Sequence, residues 1–446
     1  MIPCVECAHF GVCGGCRCEP DASGRAKPLP YDLELARKEA SVRGLLAAYD
    51  VQEWLPIVAA PDPWHYRNKM ECAFGVWDDR LVLGLRAAGR FDRVVNLETC
   101  ILMSPECLEV LKRVRQWAWD NGLTGYHRRR HDGNLRYLVL REGKTTGQRM
   151  GILIANTSIP SPLVGEGVDG GTRRNLPPTS ILPYERGGGL WEDLRTRIQS
   201  LLSTCWLGVT DEKSDVARAD DMRLLWGPGT IEERLGTVTY RISPYSFFQT
   251  NTRGTEKLYA LLHEWAAPHP SPSPASGRGD LTTGSLSLLG RGPGEGGGEG
   301  GLIDLYCGSG GIALALASFF DRVIGIDTNC DAIEDAKKNA EFNGIQNAEF
   351  VCEDVQEFLR KLPGSKLSVQ LSAMVVDPPR AGLHPKALQA LVEINPPRLA
   401  YVSCNPESLA RDLKSLVPLY RIRSVQPVDL FPHTAHVETL AILEHR

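Results

Sequence analysis

The sequence holds two sets of residues with evident chemical potential, a cysteine near its end and a cysteine group near its start. Tyr401-Val-Ser-Cys404-Asn-Pro406 reads as an apolar strand that stops in a tight turn and leaves Cys404 at the tip. A thiol placed there can act as a nucleophile if its surroundings favour the thiolate or couple deprotonation to attack, since a free thiol has a pKa near ~8.5. A cysteine at a strand end is more often a small buried hydrophobe, so the nucleophile needs a partner base. Glu438, at the end of Asp429-Leu-Phe-Pro-His-Thr-Ala-His-Val-Glu438, is the candidate. His433 and His436 are alternatives, because histidine titrates closer to neutral pH.

At the other end, Cys7-x5-Cys13-Gly-Gly-Cys16 offers three thiols from one compact loop. A [4Fe–4S] cluster takes four, and the fourth need not be local. Cys4 and Cys7, with Cys13 and Cys16, also form two C-x2-C pairs of the kind that bind zinc. The five residues between the pairs are short for a zinc ribbon, where roughly 15–20 is usual. Cys4 and Cys18 are alternate ligands.

The elements that must position these groups follow from patterning. From about residue 246, the runs LIDLY, VIGID, AEFVC, AMVVD and LAYVSC are separated by amphipathic stretches. Short apolar strands alternating with helices imply βαβ units and a parallel, doubly wound, Rossmann-like α/β sheet. Upstream, residues 61–245 mix strand-like segments (Leu135–Arg141, Gly151–Ile154, Val238–Ile242) with helical ones (Glu106–Trp117, Leu190–Leu202), an α+β pattern. Residues 1–60 carry the cysteines and a helical run, Tyr31–Tyr49. Residues 157–189 and 268–300 are dominated by Gly, Pro and Ser and read as flexible insertions dispensable for chemistry. Three units result: 1–60, 61–245 and 246–446.

Ligands of doubly wound sheets sit at the carboxyl ends of the strands. There, Leu302–Tyr306 runs into Cys307-Gly308-Ser309-Gly310-Gly311, whose glycines let the backbone approach a ligand. Asp327 ends the next strand, where a carboxylate suits a ribose diol. With Asp304, this set favours S-adenosylmethionine over a nicotinamide dinucleotide. Asp377-Pro378-Pro379-Arg380 then lies where methyl donor and acceptor should meet. Methyltransferases acting on exocyclic or amide nitrogens tend to carry Asn-Pro-Pro and an aromatic there, so the acid and arginine argue against an amine acceptor. Carbon 5 of uracil, by contrast, needs a thiolate added at carbon 6 before it can take a methyl group. That demand gives Cys404 and Glu438 their roles.

The remaining composition sets bounds. A net charge of −4 does not advertise a nucleic-acid binder, but net charge hides patches, and His127-Arg128-Arg129-Arg130-His131 is one candidate. The alternative for such a run is a solvated loop. No signal segment and no window of 18 apolar residues is present, so no membrane association and a cytoplasmic location are expected. In that compartment the 13 cysteines should stay reduced, without a disulfide framework.

Taken in order, Phe247-Phe-Gln249-Thr-Asn251, Asp304-Leu-Tyr306-Cys-Gly-Ser-Gly-Gly, Asp377-Pro-Pro-Arg380, Ser403-Cys404-Asn-Pro406 and Phe431-Pro-His-Thr-x-His-Val-Glu438 closely resemble the RNA (uracil-C5)-methyltransferases. The likeness is especially to their iron–sulfur-containing bacterial branch, which acts on 23S ribosomal RNA. Tyr66-Arg-Asn-Lys-Met70 and Gly84-Leu-Arg-x-x-Gly89 extend the likeness upstream. The resemblance implies Cys404 as nucleophile and Glu438 as base, with Gln249, Tyr306, Asp327 and Asp377 contacting S-adenosylmethionine. It also implies a [4Fe–4S] cluster on Cys7, Cys13, Cys16 and Cys100, the last in Val94-Val-Asn-Leu-Glu-Thr-Cys100. Because the cysteine group starts almost at Met1, the small β-barrel RNA-binding domain that opens some members is expected to be missing, and RNA grip to fall to the middle block. Transfer RNA is the alternative substrate, and a monomer is expected. Two competing functions are a nitrogen-directed RNA methyltransferase with a structural Cys404 and a non-catalytic iron–sulfur RNA-binding protein. The Cys-x3-Cys-x2-Cys loop of radical adenosylmethionine chemistry is not found.

Overall fold

The structure is a computed structural model that describes residues 7–21, 23–159, 189–267, 300–364 and 371–446. Cys4 and nearly all of both Gly/Pro-rich stretches lie outside the described residues.

An eight-stranded sheet carries the late motifs. Its spatial order is Ala348–Cys352, Arg322–Asp327, Gly301–Leu305, Leu371–Val376, Arg398–Ser403, Glu438–His445, Tyr420–Val428 and Val51–Trp54. The first five strands are parallel, and Glu438–His445 runs antiparallel to both of its neighbours. Both faces are covered, which is why these strands read as unbroken apolar runs. Leu302 packs on one side with Val323, Ala373 and Ala400, while Ile303 and Leu305 pack on the other with Ile324, Met374 and Tyr401. From Gly301–Leu305 the chain winds outward to Ala348–Cys352, then returns to the opposite side at Leu371–Val376. The strand order therefore reverses between the strands that end in Tyr306 and Asp377, the place where such sheets open a crevice.

The second sheet has seven strands, in the order Asp221–Trp226, Thr204–Val209, Arg149–Ala155, Leu135–Glu142, Lys69–Trp77, Arg80–Ala87 and Arg90–Asn96. Helices Pro105–Asp120 and Gly189–Ile198 close one of its faces, burying Trp117 and Trp191. Ser104 caps the first of these helices, accepting the Cys107 amide at 3.2 Å.

Two sequence expectations change: the helical run expected over Tyr31–Tyr49 ends at Leu45, and one cysteine pair is joined. The helix Tyr31–Leu45 buries Glu34, Lys38 and Val42, while Leu33 and Leu45 are exposed. Its inward face is polar because Lys38 Nζ pairs with Glu34 at 2.6 Å and with Asp429 at 2.8 Å. After it, Val51–Trp54 adds a parallel edge strand to the eight-stranded sheet.

The second change concerns disulfides. Cys330 and Cys352 are joined, with a Cα–Cα distance of 5.1 Å. Asp327 and Cys352 are parallel register partners, and Cys330 opens the helix that follows Asp327, so the fold brings the two thiols to one sheet end. The expectation of uniformly reduced cysteines fails at this pair. Among the described residues, no helix is long and apolar enough to cross a membrane.

Candidate active site

The antiparallel register of Arg398–Ser403 with Glu438–His445 pairs Ser403 with Thr439. One residue further out on each chain are Cys404 and Glu438, which directly opposed positions send to the same face. Cys404 is half-buried, and Glu438 is 2% exposed with no hydrogen-bond partner on its Oε1. Asp377, at the end of the adjoining parallel strand, accepts from Gln249 Nε2 at 3.3 Å.

These acids and the thiol perturb one another. Burial first, then the charges of Glu438 and Asp377, push the Cys404 thiol up to about 11, against the pull of Arg380. Burial alone pushes Asp377 up to about 7. Burial, then Asp377, pushes Glu438 well above the usual carboxylate range. The resting site thus holds a protonated thiol beside a carboxyl group of raised proton affinity, a pairing suited to exchanging protons.

The histidines of the same loop are engaged elsewhere. His433 is buried, stacks on Trp64 with centroids 3.9 Å apart, and has a left-handed backbone at φ 60°. Its amide donates to Glu34 at 2.8 Å. His436 Nδ1 lies 2.9 Å from Arg380 Nη2.

On the other side of Asp377, the chain leaves Leu305 through Tyr306 at φ 64° and turns again at Gly310, φ 82°. A Cβ on Gly310 would stand 3.0 Å from the Phe350 ring and 3.1 Å from Ala336, so only glycine takes this path without displacement. Asp327 accepts the amides of Gly308 at 3.0 Å and Asn329 at 2.8 Å. Asp304 is fully buried. Its Oδ2 accepts the Ala313 amide at 2.9 Å, and its Oδ1 has no partner. A narrow cleft is lined by Phe247, Gln249, Asp304, Tyr306, Ser309 and Asp377. The buried, unpartnered Asp304 oxygen and the glycine turn fit a ligand carrying an ammonium group and an adenosine, as S-adenosylmethionine does. Of the residues expected to contact it, Gln249, Tyr306 and Asp377 share this cleft, and Asp327 joins through the Gly308 amide.

The contacts of three motif residues escaped the sequence. Asn68, within the Tyr66–Met70 motif, donates to the Gln249 carbonyl at 2.8 Å and the Thr252 hydroxyl at 3.0 Å. Phe247 stands 59% exposed at the cleft, its carbonyl accepting from Ser309 Oγ at 2.7 Å. Arg380 carries the His436 contact. The recurring motifs marked each segment, but no local pattern reveals a contact across some 180 residues.

The amino-terminal cysteines converge in part. Cys7, Cys16 and Cys100 border one small cluster around Tyr66, Ile101 and Leu102, while Cys13 packs with Ala87 and Val95. Cys16 Sγ lies 3.8 Å from Cys18 Sγ, and none of Cys7, Cys13, Cys16, Cys18 and Cys100 is in a disulfide. Among the described residues, no group of three or more His, Cys, Asp or Glu side chains is gathered to hold a metal ion. The donor chemistry suits iron–sulfur ligation, but the thiols do not form a ready-made cage.

Comparison with known proteins points to one family. Residues 295–446 match the family described as tRNA (Uracil-5-)-methyltransferase. An uncharacterised RNA methyltransferase of Chlorobaculum tepidum is 32% identical over 98% of this chain and 82% of its own length. One from Caldanaerobacter subterraneus is also 32% identical, over 98% and 84%. Among solved structures, the Pyrococcus abyssi tRNA (uracil-54, C5)-methyltransferase in complex with S-adenosyl-L-homocysteine superposes with a TM-score of 0.68. It is 29% identical, and the match covers 93% of this chain and 82% of that one.

Proposed function

Because this chain belongs to the RNA (uracil-C5)-methyltransferases, class I enzymes dependent on S-adenosylmethionine, we propose that Cys404 and Glu438 carry its covalent chemistry on a uridine. In this scheme the Cys404 thiol gives its proton to a neighbouring carboxylate or water as its sulfur bonds to carbon 6, and the ring electrons move toward carbon 5 as an enolate. Carbon 5 takes the electrophilic methyl group that S-adenosylmethionine supplies, and S-adenosylhomocysteine is left behind. Glu438 then removes the carbon-5 proton, the electron pair re-forms the 5,6 double bond, and the Cys404 sulfur leaves as thiolate. Gln249 steadies Asp377, and Asp327 and Tyr306 hold the adenosine side. The observation that carries this assignment is the buried Glu438 with a free Oε1 on the strand beside Cys404.

The substrate proposed is a uridine in 23S ribosomal RNA, flipped from its stack at a cost on the order of a few kcal/mol. The amino-terminal cysteines support this choice through their likeness to the ribosomal branch. Transfer RNA is the second candidate, favoured by the solved relative that is named for uracil-54 of tRNA. Cys7, Cys13, Cys16 and Cys100 are the proposed ligands of a [4Fe–4S] cluster, which would staple the segment; methyl transfer from a sulfonium needs no electrons. Iron and acid-labile sulfide determined on anaerobically purified protein test the cluster, and their absence removes it.

The deciding experiment uses RNA fragments carrying 5-fluorouridine, with S-adenosylmethionine present. Fluorine cannot leave as a proton, so a denaturation-resistant protein–RNA adduct should accumulate and vanish in Cys404→Ala. Mapping the trapped base identifies the RNA. Methylation of natural RNA with no adduct from any ribosomal or transfer RNA fragment would refute the covalent route and raise nitrogen methylation in its place.

A further inference from the structure

The catalytic site leaves the basic run His127–His131 unused, yet the fold mounts it with care. Gly125 presses on the strand Lys69–Trp77 so closely that a Cβ there would lie 2.3 Å from the Gly75 carbonyl oxygen. His127 and Asp132 bridge across the tip, with the His127 amide donating to the Asp132 carbonyl at 2.7 Å. His131 turns left-handed at φ 57°, and its Nδ1 lies 2.8 Å from the Tyr126 hydroxyl. Arg128, Arg129 and Arg130 are therefore displayed on a closed turn, with the side chains of Arg129 and Arg130 79% and 61% exposed. Charges held in place this way lose little freedom on binding.

The turn faces further cations. A cleft of about 220 Å³ separates it from Arg86, and the acids that line it are Asp92 and Asp215. Asp215 fixes the geometry by pairing with Arg86 at 2.6 Å and Arg128 at 3.1 Å. Nearby, Trp77 is 48% exposed, and the Arg93 guanidinium lies 4.2 Å from its ring centre. Arg86, Arg90, Arg93, Arg128, Arg129 and Arg130 outnumber their acidic partners Asp92, Asp132 and Asp215 by six to three. The whole chain carries −4, so this is a local reversal of sign.

The patch is also joined to the catalytic loop. The Gly14 amide donates to the Arg86 carbonyl at 2.8 Å, and the Arg17 amide donates to the His433 carbonyl at 2.6 Å. The cysteine segment thus touches the arginine strand at one end and the loop leading to Glu438 at the other.

We propose that this arginine turn and strand edge grip the phosphodiester backbone of the single-stranded RNA flanking the target uridine, with Trp77 offering its ring to an unpaired base. The proposal rests on the RNA-methyltransferase function above. Guanidinium groups match phosphate oxygens in geometry and charge. An exposed ring beside a basic cleft is the arrangement that holds unpaired nucleotides without sequence preference. Duplex RNA would need contacts spread over two successive grooves, and one compact turn does not supply them.

The test uses Cys404→Ala protein, which cannot turn over, and labelled single-stranded fragments of large-subunit ribosomal RNA titrated across salt concentrations. Adding Arg129→Glu and Arg130→Glu should weaken binding at low salt by about tenfold or more. The slope of log affinity against log salt should shrink by about 1.4, at about 0.7 for each of two lost single-strand phosphate contacts. Arg129→Lys with Arg130→Lys should restore the slope. In otherwise unaltered enzyme the charge reversal should raise the RNA KM and leave kcat at saturation within about twofold. Unchanged affinity and slope, or an equal loss in the lysine pair, would overturn the proposal, as would displacement by a duplex of the same length as readily as by single strand. Should binding respond as expected while wild-type enzyme forms no 5-methyluridine, the grip stands and the catalytic assignment falls.

Discussion

The side-chain amide of Asn68 donates at once to the main-chain carbonyl of Gln249 and to the hydroxyl of Thr252, tying the seven-stranded sheet to the wall of the cofactor cleft. Both bonds are buried or nearly so, and Asn68 itself is 6% exposed. Asn68→Ala strands two partners, which costs about 1–3 kcal/mol for a buried polar group. The variant should unfold at lower urea concentration and bind S-adenosylhomocysteine more weakly in a calorimetric titration. An unchanged affinity would mean that Gln249 does not depend on this brace.

Glu438→Gln separates adduct formation from proton removal. The glutamine keeps the shape but cannot accept the carbon-5 proton, so the methylated adduct should persist on ordinary RNA without fluorine. Product formation should fall on the order of 10³-fold while a denaturation-resistant band appears on gels. Slow turnover with no band would move the base to another group.

The pH profile follows from the elevated thiol. The reactive form of Cys404 is the thiolate, and its pKa in the free enzyme is pushed up to about 11. Below that value the thiolate fraction drops about tenfold per pH unit. If deprotonation precedes attack, log kcat/KM should climb with pH through the neutral and mildly alkaline range. A plateau from neutrality upward would show that the proton leaves in the same step as attack, with a neighbouring carboxylate taking it.

Lys38 bridges Glu34 and Asp429 with little access to water. Lys38→Met removes the cation and leaves two buried acids facing each other. Breaking a buried pair in this way costs about 3–5 kcal/mol. Urea unfolding should register it, and raising the acidity should recover part of the loss, because protonated acids no longer repel.

What the sequence disclosed and what it hid divide along physical lines. The strands ending at Tyr306, Asp327, Asp377 and Ser403 are buried on both faces, so each is a compact apolar run that stands out without tertiary information. Cys404 and Glu438 were named together because the chemistry of uracil would demand a thiol and a base, and the strand register brings the two positions side by side. The inward face of Tyr31–Leu45 was hidden because Lys38 is neutralised by Asp429, whose partnership spans 391 residues. The Cys330–Cys352 link was missed for a related reason. A cellular argument about thiols says nothing about which loops a parallel register brings together. The amino-terminal cysteines show the opposite limit, since spacing names donors but does not close a cage.

The edge strand Val51–Trp54 has one further implication. Its partners, Ile422 to Val425, lie some 370 residues downstream. A ribosome releases that segment long before it makes the strand it must join, and loop closure over such a span is entropically slow. The early helix and strand must therefore wait, while Arg398–Ser403 and its parallel neighbours can already assemble. Once Tyr420–Val428 docks, the waiting segment seals the outer rim of the sheet and covers an edge that would otherwise invite another chain. Nascent chains halted before residue 420 should leave the helix Tyr31–Leu45 and the strand Val51–Trp54 open to protease, even where the middle sheet has formed.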